Sequence, residues 1–211
     1  MTTETVEYDN IGPELSLSDV AFPSELGERF QTLYGTEKPP ADGAAWVEQM
    51  REAITAVRDR QPTVDDLCTV ADGEHVFTPA GGGDEQRYIC VLDPLAYPFL
   101  TGETGTVRST TPVREATVAF EITADGVDVS HDEAVVSLGV SDHVEEFEDA
   151  PVETVYRQVC GYIQTFEDRE EYETWAADVD AATVPLSAAE GVAVAREIAV
   201  SLFTGEDRAA T

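Results

Sequence analysis

The first third of the chain carries apolar residues at helical spacing. Within residues 44–60, the positions with this spacing are Trp46, Val47, Met50, Ile54 and Val57. Residues 24–34 predict a second helix, with Ser24 as its N-cap and Gly35 as its stop. A further short helix is predicted within 62–71. The pattern therefore indicates a small helical region at this end of the chain.

After Gly73 the pattern changes from helical spacing to short strands separated by turns. Val118, Phe120 and Ile122 alternate with polar residues, as in a half-buried antiparallel sheet. The segments predicted to contain strands are 74–79, 87–93, 104–110, 115–126, 127–130 and 134–140. The middle of the chain is therefore predicted to form a β-sheet.

The last part of the chain returns to helices. Asp168 is predicted to cap a helix over 168–179. Ser187 and Glu190 form a capping box at the start of an amphipathic helix over 187–203. Residues 151–166 leave two alternatives open, because their start suits a helix and "QVCGYIQTF" suits a strand.

This order of elements predicts an α+β fold, since strands and helices do not alternate regularly. We expect a mixed or antiparallel β-sheet core with flanking helices, preceded by a small helical N-terminal region. The predicted division is a mobile acidic leader over 1–20, the helical region over 21–72 and a core over 73–211.

The charge balance is extreme, with 43 acidic residues against 12 basic ones and a formal net charge of -31. Self-repulsion of this size destabilises a compact protein, and molar salt screens it. The composition therefore predicts the cytoplasm of a high-salt-adapted archaeon. The alternative, an acidic cation-binding tail, is disfavoured because the acids are spread along the whole chain.

The same charge predicts that the protein does not bind nucleic acid, because phosphate contacts need clustered Lys and Arg. No apolar run reaches the roughly 18 residues that a membrane helix needs. The N-terminus is acidic and lacks the basic and apolar parts of a secretory signal. We therefore expect a cytoplasmic protein without a membrane partner.

Several common kinds of site receive little support from the sequence. The glycine run Gly81–Gly83 lacks the pattern of a phosphate loop and is predicted to be a flexible turn. The histidines His75, His131 and His143 have no metal-ligand spacing, and we expect them at or near the surface. A serine hydrolase elbow, G-x-S-x-G, is absent from the sequence.

Three cysteines remain as candidate chemistry, and their odd number argues against a disulfide framework. Cys68 is predicted to be a structural or incidental thiol. Cys90 and Cys160 lie in apolar segments, and Asp93 follows Cys90 where a strand is expected to give way to a helix. By pattern alone, buried inert cysteines explain both positions.

The segment "YICVLDPLAYPFLTG" (88–102) resembles the active-site segment of the organomercurial (alkylmercury) lyases. That family has Cys-x-x-Asp, here Cys90 and Asp93, followed by an element like "YPFLTG". Its second essential cysteine precedes a tryptophan by fifteen residues, as Cys160 precedes Trp175. The last predicted helix also resembles the family's closing helix, so the resemblance covers residues 74–203.

The sequence departs from the family pattern at two cysteine positions. Thr111 stands near the place of a further family cysteine, and Gly161 stands where a second cysteine often follows the essential one. The family's N-terminal region covers the active site. Residues 20–70 are predicted to be helical but match that region by no motif.

The resemblance implies an alkylmercury lyase that cleaves carbon–mercury bonds by protonolysis, giving a hydrocarbon and Hg(II). It implies Cys90 and Cys160 as the thiolates that bind mercury. Asp93 is implied as the proton donor and as a further mercury ligand. A raised pKa would suit Asp93 to this role, and apolar walls could supply it. The candidate wall residues are Leu92, Leu95, Tyr97 and Phe99.

No organic cofactor is expected, and Hg(II) is expected to remain bound as product. The expected partners are an organomercurial substrate and an Hg(II) acceptor, either cytosolic thiols or a mercuric reductase. The alternative is a non-catalytic binding or carrier protein for soft metals such as mercury or copper, on the same fold and with the same ligands.

Overall fold

The computed structural model describes residues 16–58, 62–146 and 157–203 of the chain. Helix α1 spans Ser24–Tyr34 and helix α2 spans Gly43–Arg58. Gly35 ends α1 in the left-handed conformation at φ 63°, as predicted, whereas Ser24 is the first helical residue and Pro23 precedes it. The short helix expected within 62–71 is a single 3-10 turn at Val64–Asp66.

Five strands form an antiparallel sheet in the order β2-β1-β3-β4-β5. Their bounds are β1 His75–Pro79, β2 Gln86–Tyr88, β3 Gly105–Thr110, β4 Thr117–Ile122 and β5 Val127–Val129. The alternating residues Val118, Phe120 and Ile122 are all buried, as their pattern predicts. The glycine run Gly81–Gly83 forms the exposed turn between β1 and β2.

A second antiparallel sheet has the order β7-β6-β8. It consists of β6 Val135–Ser141, β7 Thr165–Phe166 and β8 Ala181–Ser187. Helix α4, Arg169–Asp178, and helix α5, Ala188–Leu202, carry the predicted caps, since Asp168 caps α4 and the Ser187–Glu190 box begins α5. The α+β prediction is confirmed, and every strand pairing in the described residues is antiparallel.

The segment around Cys90 differs from the predicted strand over 87–93. Strand β2 ends at Tyr88, and helix α3 begins at Leu92 and continues to Thr101. Cys90 therefore lies in the short turn between β2 and α3. Asp93 and Pro94 occupy the first turn of the helix, where an acid is favoured by the helix dipole and proline needs no hydrogen-bond donor.

The ambiguous segment 151–166 is described only from residue 157 onward. Residues 157–159 are helical, and Cys160–Tyr162 forms a 3-10 turn. Strand β7 begins only at Thr165, so just the last two residues of "QVCGYIQTF" form a strand. Cys160 lies in the 3-10 turn that precedes it.

One hydrophobic core joins the N-terminal helices to the rest of the protein. Buried side chains from α1, α2, the five-stranded sheet, α3 and α5 belong to the same cluster. Of the predicted leader, residues 1–15 lie outside the described part of the chain, while Leu17 and Val20 are buried in this core. The helical region therefore packs directly on the part that carries Cys90 and Cys160.

Candidate active site

The two turns that carry Cys90 and Cys160 are joined by a main-chain hydrogen bond. The N–H of Val91 donates to the carbonyl oxygen of Ile163 at 3.3 Å, and the N–H of Ile163 donates to that of Cys160 at 3.2 Å. Both cysteines are buried, and both line the same cavity. The fold thus brings together two thiols that are 70 residues apart in sequence.

Cys68 lies beside these thiols, although no sequence motif links it to them. Its Sγ lies 3.6 Å from Sγ of Cys160. The only signal was its presence as a third free cysteine, because the spacing from Cys68 to Cys90 or Cys160 matches no motif. The sequence predicted a structural or incidental thiol, and the structure places Cys68 in contact with Cys160.

Asp93 completes the cluster with a carboxyl group. Its Oδ2 accepts a hydrogen bond of 2.7 Å from the main-chain N–H of Cys68, and it also contacts the thiols of Cys68 and Cys90. The side chain is half-buried, and it lines the same cavity as the thiols. Burial raises the pKa of Asp93, and the N–H of Cys68 opposes that shift.

The three thiols have different electrostatic surroundings. Cys90 contacts Cys160 and accepts from the main-chain N–H groups of Leu92 and Asp93 at the start of α3, and these contacts favour its thiolate. Burial and the nearby carboxylate outweigh them, so the pKa of Cys90 is raised. The resting thiol is thus protonated near neutral pH, with a local environment that stabilises the thiolate once mercury replaces the proton.

Cys160 holds its proton most firmly. The neighbouring thiols of Cys68 and Cys90, together with burial, raise the pKa of Cys160 well above its ordinary value. For Cys68, the contact with Cys160 lowers the pKa, but burial and the charge of Asp93 raise it to about 11. The cluster therefore rests with protonated thiols, and mercury binding must release protons.

A largely apolar cavity of about 100 Å³ opens beside the cluster. The N-terminal helices supply one wall through Tyr34, Trp46, Met50 and Ile54. The end of α5 and the next residue supply another, through Ile198, Leu202 and Phe203. These helices therefore form two walls of the site and place mostly apolar side chains beside the thiols.

The walls differ from those suggested by the sequence. Of the four suggested side chains, only Leu92 lines the cavity. Leu95 and Phe99 are buried in the core, and Tyr97 packs against Phe77 with ring centroids 5.0 Å apart. One helix cannot point all its apolar side chains at one cavity, because successive residues turn by about 100° around its axis.

Two further sequence predictions concern residues outside the cluster. Trp175 packs on Phe166 and Tyr172 in a separate small cluster and does not line the cavity. His75 is fully buried rather than near the surface, and its Nδ1 lies 2.6 Å from Oγ of Ser109. In the ranges that the structure covers, no group of three or more His, Cys, Asp or Glu side chains has the arrangement of a preformed metal site.

Comparison with known protein families shows which family the chain belongs to. The family model for alkylmercury lyase (MerB) matches residues 68–200, which is well over half of the chain. The chain belongs to the alkylmercury lyase family. By that membership it is an enzyme, an organomercurial lyase, and the matched range begins at Cys68 and includes Cys90, Asp93 and Cys160.

Other comparisons of this alkylmercury lyase are less informative. A solved structure described as the mercury-bound form of MerB2 is similar with 10% sequence identity and a TM-score of 0.46, covering 84% of this chain and 91% of that one. None of the curated proteins compared with the chain matches it significantly. Among the described helices, none combines the length and apolar character needed to cross a membrane.

Proposed function

We propose that this alkylmercury lyase cleaves carbon–mercury bonds by protonolysis at Cys90, Cys160 and Asp93. The observation that carries the proposal is that Cys90, Cys160 and Asp93 line one cavity, with the turns of the two cysteines joined by the hydrogen bond from Val91 to Ile163. Thiolates are the preferred ligands of soft Hg(II), and the carboxyl group supplies the proton that cleavage needs.

The reaction begins with capture of the organomercurial by Cys90. Its thiol loses a proton, its sulfur bonds to mercury, and the ligand that accompanied the substrate leaves. The N–H groups of Leu92 and Asp93 support the developing thiolate character of this sulfur. Cys90 is proposed as the first ligand because the main-chain N–H groups of Leu92 and Asp93 favour its thiolate.

Cleavage then requires a second sulfur and a proton. Cys160 gives its proton to the carboxylate of Asp93 and binds mercury as a thiolate, which adds electron density to the metal and weakens the carbon–mercury bond. Asp93 passes that proton to the departing carbon. The carbon–mercury bond breaks, a carbon–hydrogen bond forms, and Hg(II) stays on the two sulfurs while Asp93 returns to its carboxylate form.

The raised pKa of Asp93 suits this role in both directions. A carboxyl group with an ordinary pKa would be a weak base toward a thiol, and little of it would be protonated near neutral pH. Burial beside the apolar cavity makes the protonated form more accessible near neutral pH.

The cavity supports substrates with a small organic group on mercury. Its volume is about 100 Å³, whereas an apolar cavity of about 150 Å³ holds benzene. Methyl and ethyl groups therefore fit the resting cavity, and a phenyl ring fits after modest side-chain movement. The apolar walls contact the organic group, and the sulfur cluster contacts the metal.

We further propose that the reaction needs no organic cofactor and that Hg(II) passes to a cytosolic thiol or a mercuric reductase. A salt-rich archaeal cytoplasm is proposed as the setting, supported by the net charge of -31. That charge also opposes binding to nucleic acid, and the protein is proposed to act without a membrane partner.

The test is benzene release from phenylmercury by the purified protein in molar potassium sulfate with excess thiol. Sulfate replaces chloride because chloride itself binds Hg(II). We expect one benzene per phenylmercury consumed, and loss of release in Cys90→Ser and Cys160→Ser variants. Tight binding of phenylmercury without benzene would contradict the proposal and favour the soft-metal carrier.

A further inference from the structure

We propose that Cys68 is a third mercury ligand, so that product Hg(II) is held by the sulfurs of Cys68, Cys90 and Cys160. This inference rests on the proposed function for the origin of the bound metal. It goes beyond the two-thiol site, because neither the Cys-x-x-Asp element nor the cysteine–tryptophan interval includes Cys68.

The arrangement of the three sulfurs carries the proposal. The sulfurs of Cys68 and Cys160 lie 3.6 Å apart, and Cys90 lines the same cavity beside them. Mercury that bonds to Cys160 therefore arrives beside Cys68 as well. All three residues line the same cavity, so the metal meets them from one side.

Main-chain contacts hold Cys68 beside the cluster. The N–H of Ile89 donates to the carbonyl oxygen of Cys68 at 3.1 Å, and the N–H of Val70 donates to that of Arg87 at 2.9 Å. Gly73 packs so closely on Tyr88 that a Cβ there would overlap its main chain. The segment is thus fixed along β2, which ends two residues before Cys90.

The chemistry leaves a role for a third sulfur after cleavage. Two thiolates neutralise Hg(II) but leave it coordinatively open, and the metal prefers sulfur to the oxygen of water or a carboxylate. The thiol of Cys68 bonds to mercury and its proton goes to the carboxylate of Asp93, which cleavage has just deprotonated. Charge and protons balance, and Asp93 regains its acid form.

Met50 is the competing sulfur, because it also lines the cavity. A thioether is a soft ligand but carries no charge and releases no proton. It lies on the covering helix α2 rather than in contact with another sulfur of the cluster. Substitution of Met50 by leucine preserves its volume and therefore provides a matched control.

The experiment counts sulfur ligands directly. The protein, in molar potassium sulfate without added thiol, receives one equivalent of Hg(II). X-ray absorption at the mercury edge then gives the number of sulfur atoms bound to the metal. We expect three sulfurs in the wild type and in Met50→Leu, and two in Cys68→Ser and Cys68→Ala. A competing dithiol should remove mercury from the Cys68 variants at a concentration about tenfold or more below the one that the wild type requires. Loss of a contact to a metal ligand already lowers metal affinity by this factor, so loss of a ligand itself should do so too.

Two sulfurs in the wild type would overturn the inference, and that measurement needs no variant to fold. Three sulfurs that fall to two only in Met50→Leu would also overturn it. Benzene release by the wild type tests the proposed function separately. Three bound sulfurs without benzene release would refute the lyase mechanism and support Cys68 as the third ligand. Benzene release with two bound sulfurs would support the lyase mechanism and refute Cys68 as a ligand.

Discussion

The main-chain N–H of Cys68 donates a 2.7 Å hydrogen bond to Oδ2 of Asp93. This bond joins the segment before β1 to the first turn of α3 and aims the carboxyl group at the thiols. Because the donor is the main chain, a change of the Cys68 side chain leaves it in place. The acid and the third thiol are therefore positioned by one segment but can be tested independently.

Replacement of Cys160 by serine should separate mercury capture from cleavage. Cys90 keeps its thiol and its main-chain donors, so the variant should still bind phenylmercury in a one-to-one adduct. Cleavage should be abolished, because the second thiolate and the proton that it supplies are both lost. Intact-protein mass spectrometry detects the adduct and gas chromatography detects benzene. Benzene release at the wild-type rate would contradict the assigned role of Cys160.

His75 should make stability depend on pH below neutrality. Burial lowers the pKa of His75 from 6.5 to about 4, so between these values the unfolded chain binds a proton that the folded protein does not. The free energy of unfolding is therefore not reduced by His75 above about pH 6.5. It falls as the pH approaches 4, by up to about 3 kcal/mol. Urea unfolding at several pH values measures this slope.

Variants at two histidines isolate the contribution of His75. His75→Asn should flatten the slope between pH 6.5 and 4. The same change at the partly exposed His131, whose Nε2 lies 3.3 Å from a carboxylate oxygen of Glu167, should keep the His75-dependent slope. Equal slopes in wild type and His75→Asn would show that this buried ring does not control the acid sensitivity.

Glu171 should stabilise the folded protein and should take no part in the reaction. This buried carboxylate lies outside the cavity and accepts from the main-chain N–H groups of Arg114 at 2.9 Å and Glu167 at 2.8 Å. Glu171→Ala leaves both donors without this partner, and we expect a loss of about 1–3 kcal/mol for each in the free energy of unfolding.

The matched control for Glu171 is Glu173, an exposed residue on the same helix that pairs with Arg169. Glu173→Ala should change the free energy of unfolding by no more than about 0.5 kcal/mol. Urea unfolding in molar salt compares the two variants. A Glu171→Ala variant as stable as Glu173→Ala would refute the role of these two hydrogen bonds.

Ile54 should limit the size of the organic group. It lines the cavity from α2, so Ile54→Ala should favour phenylmercury over methylmercury in kcat/KM by about tenfold, a scale observed for one methylene in an apolar pocket. Ile122→Ala is the matched control, because Ile122 is equally apolar and buried but lies in β4 away from the cavity. Competition between the two substrates measures the ratio, and an equal shift in both variants would contradict the assignment.

Elements with strong local signals were predictable from the sequence. The alternation of Val118, Phe120 and Ile122 gave β4, and the box formed by Ser187 and Glu190 gave the start of α5. Strand β8 was not predicted, because Pro185 interrupts its pattern. The structure tolerates this proline because β8 is an edge strand, where one side of the strand needs no hydrogen-bond donors.

The site was only partly predictable because its contacts are distant in sequence. The resemblance indicated Cys90, Asp93 and Cys160 through local spacing. The contact between Cys68 and Cys160 joins residues 92 positions apart, and nothing near Cys68 encodes it. The cavity walls from Trp46 and Ile198 likewise follow from helix packing, which local periodicity does not determine.

The Asp93→Asn variant removes the proposed proton donor, because asparagine keeps the shape of the side chain but cannot carry the proton. Single-turnover benzene release from phenylmercury in D₂O, with mercury binding measured in parallel, is the decisive experiment. We expect singly deuterated benzene from the wild type, and release slower by about 100-fold or more from a variant that still binds phenylmercury. Release of benzene by Asp93→Asn at the wild-type rate would show that Asp93 is not the proton donor.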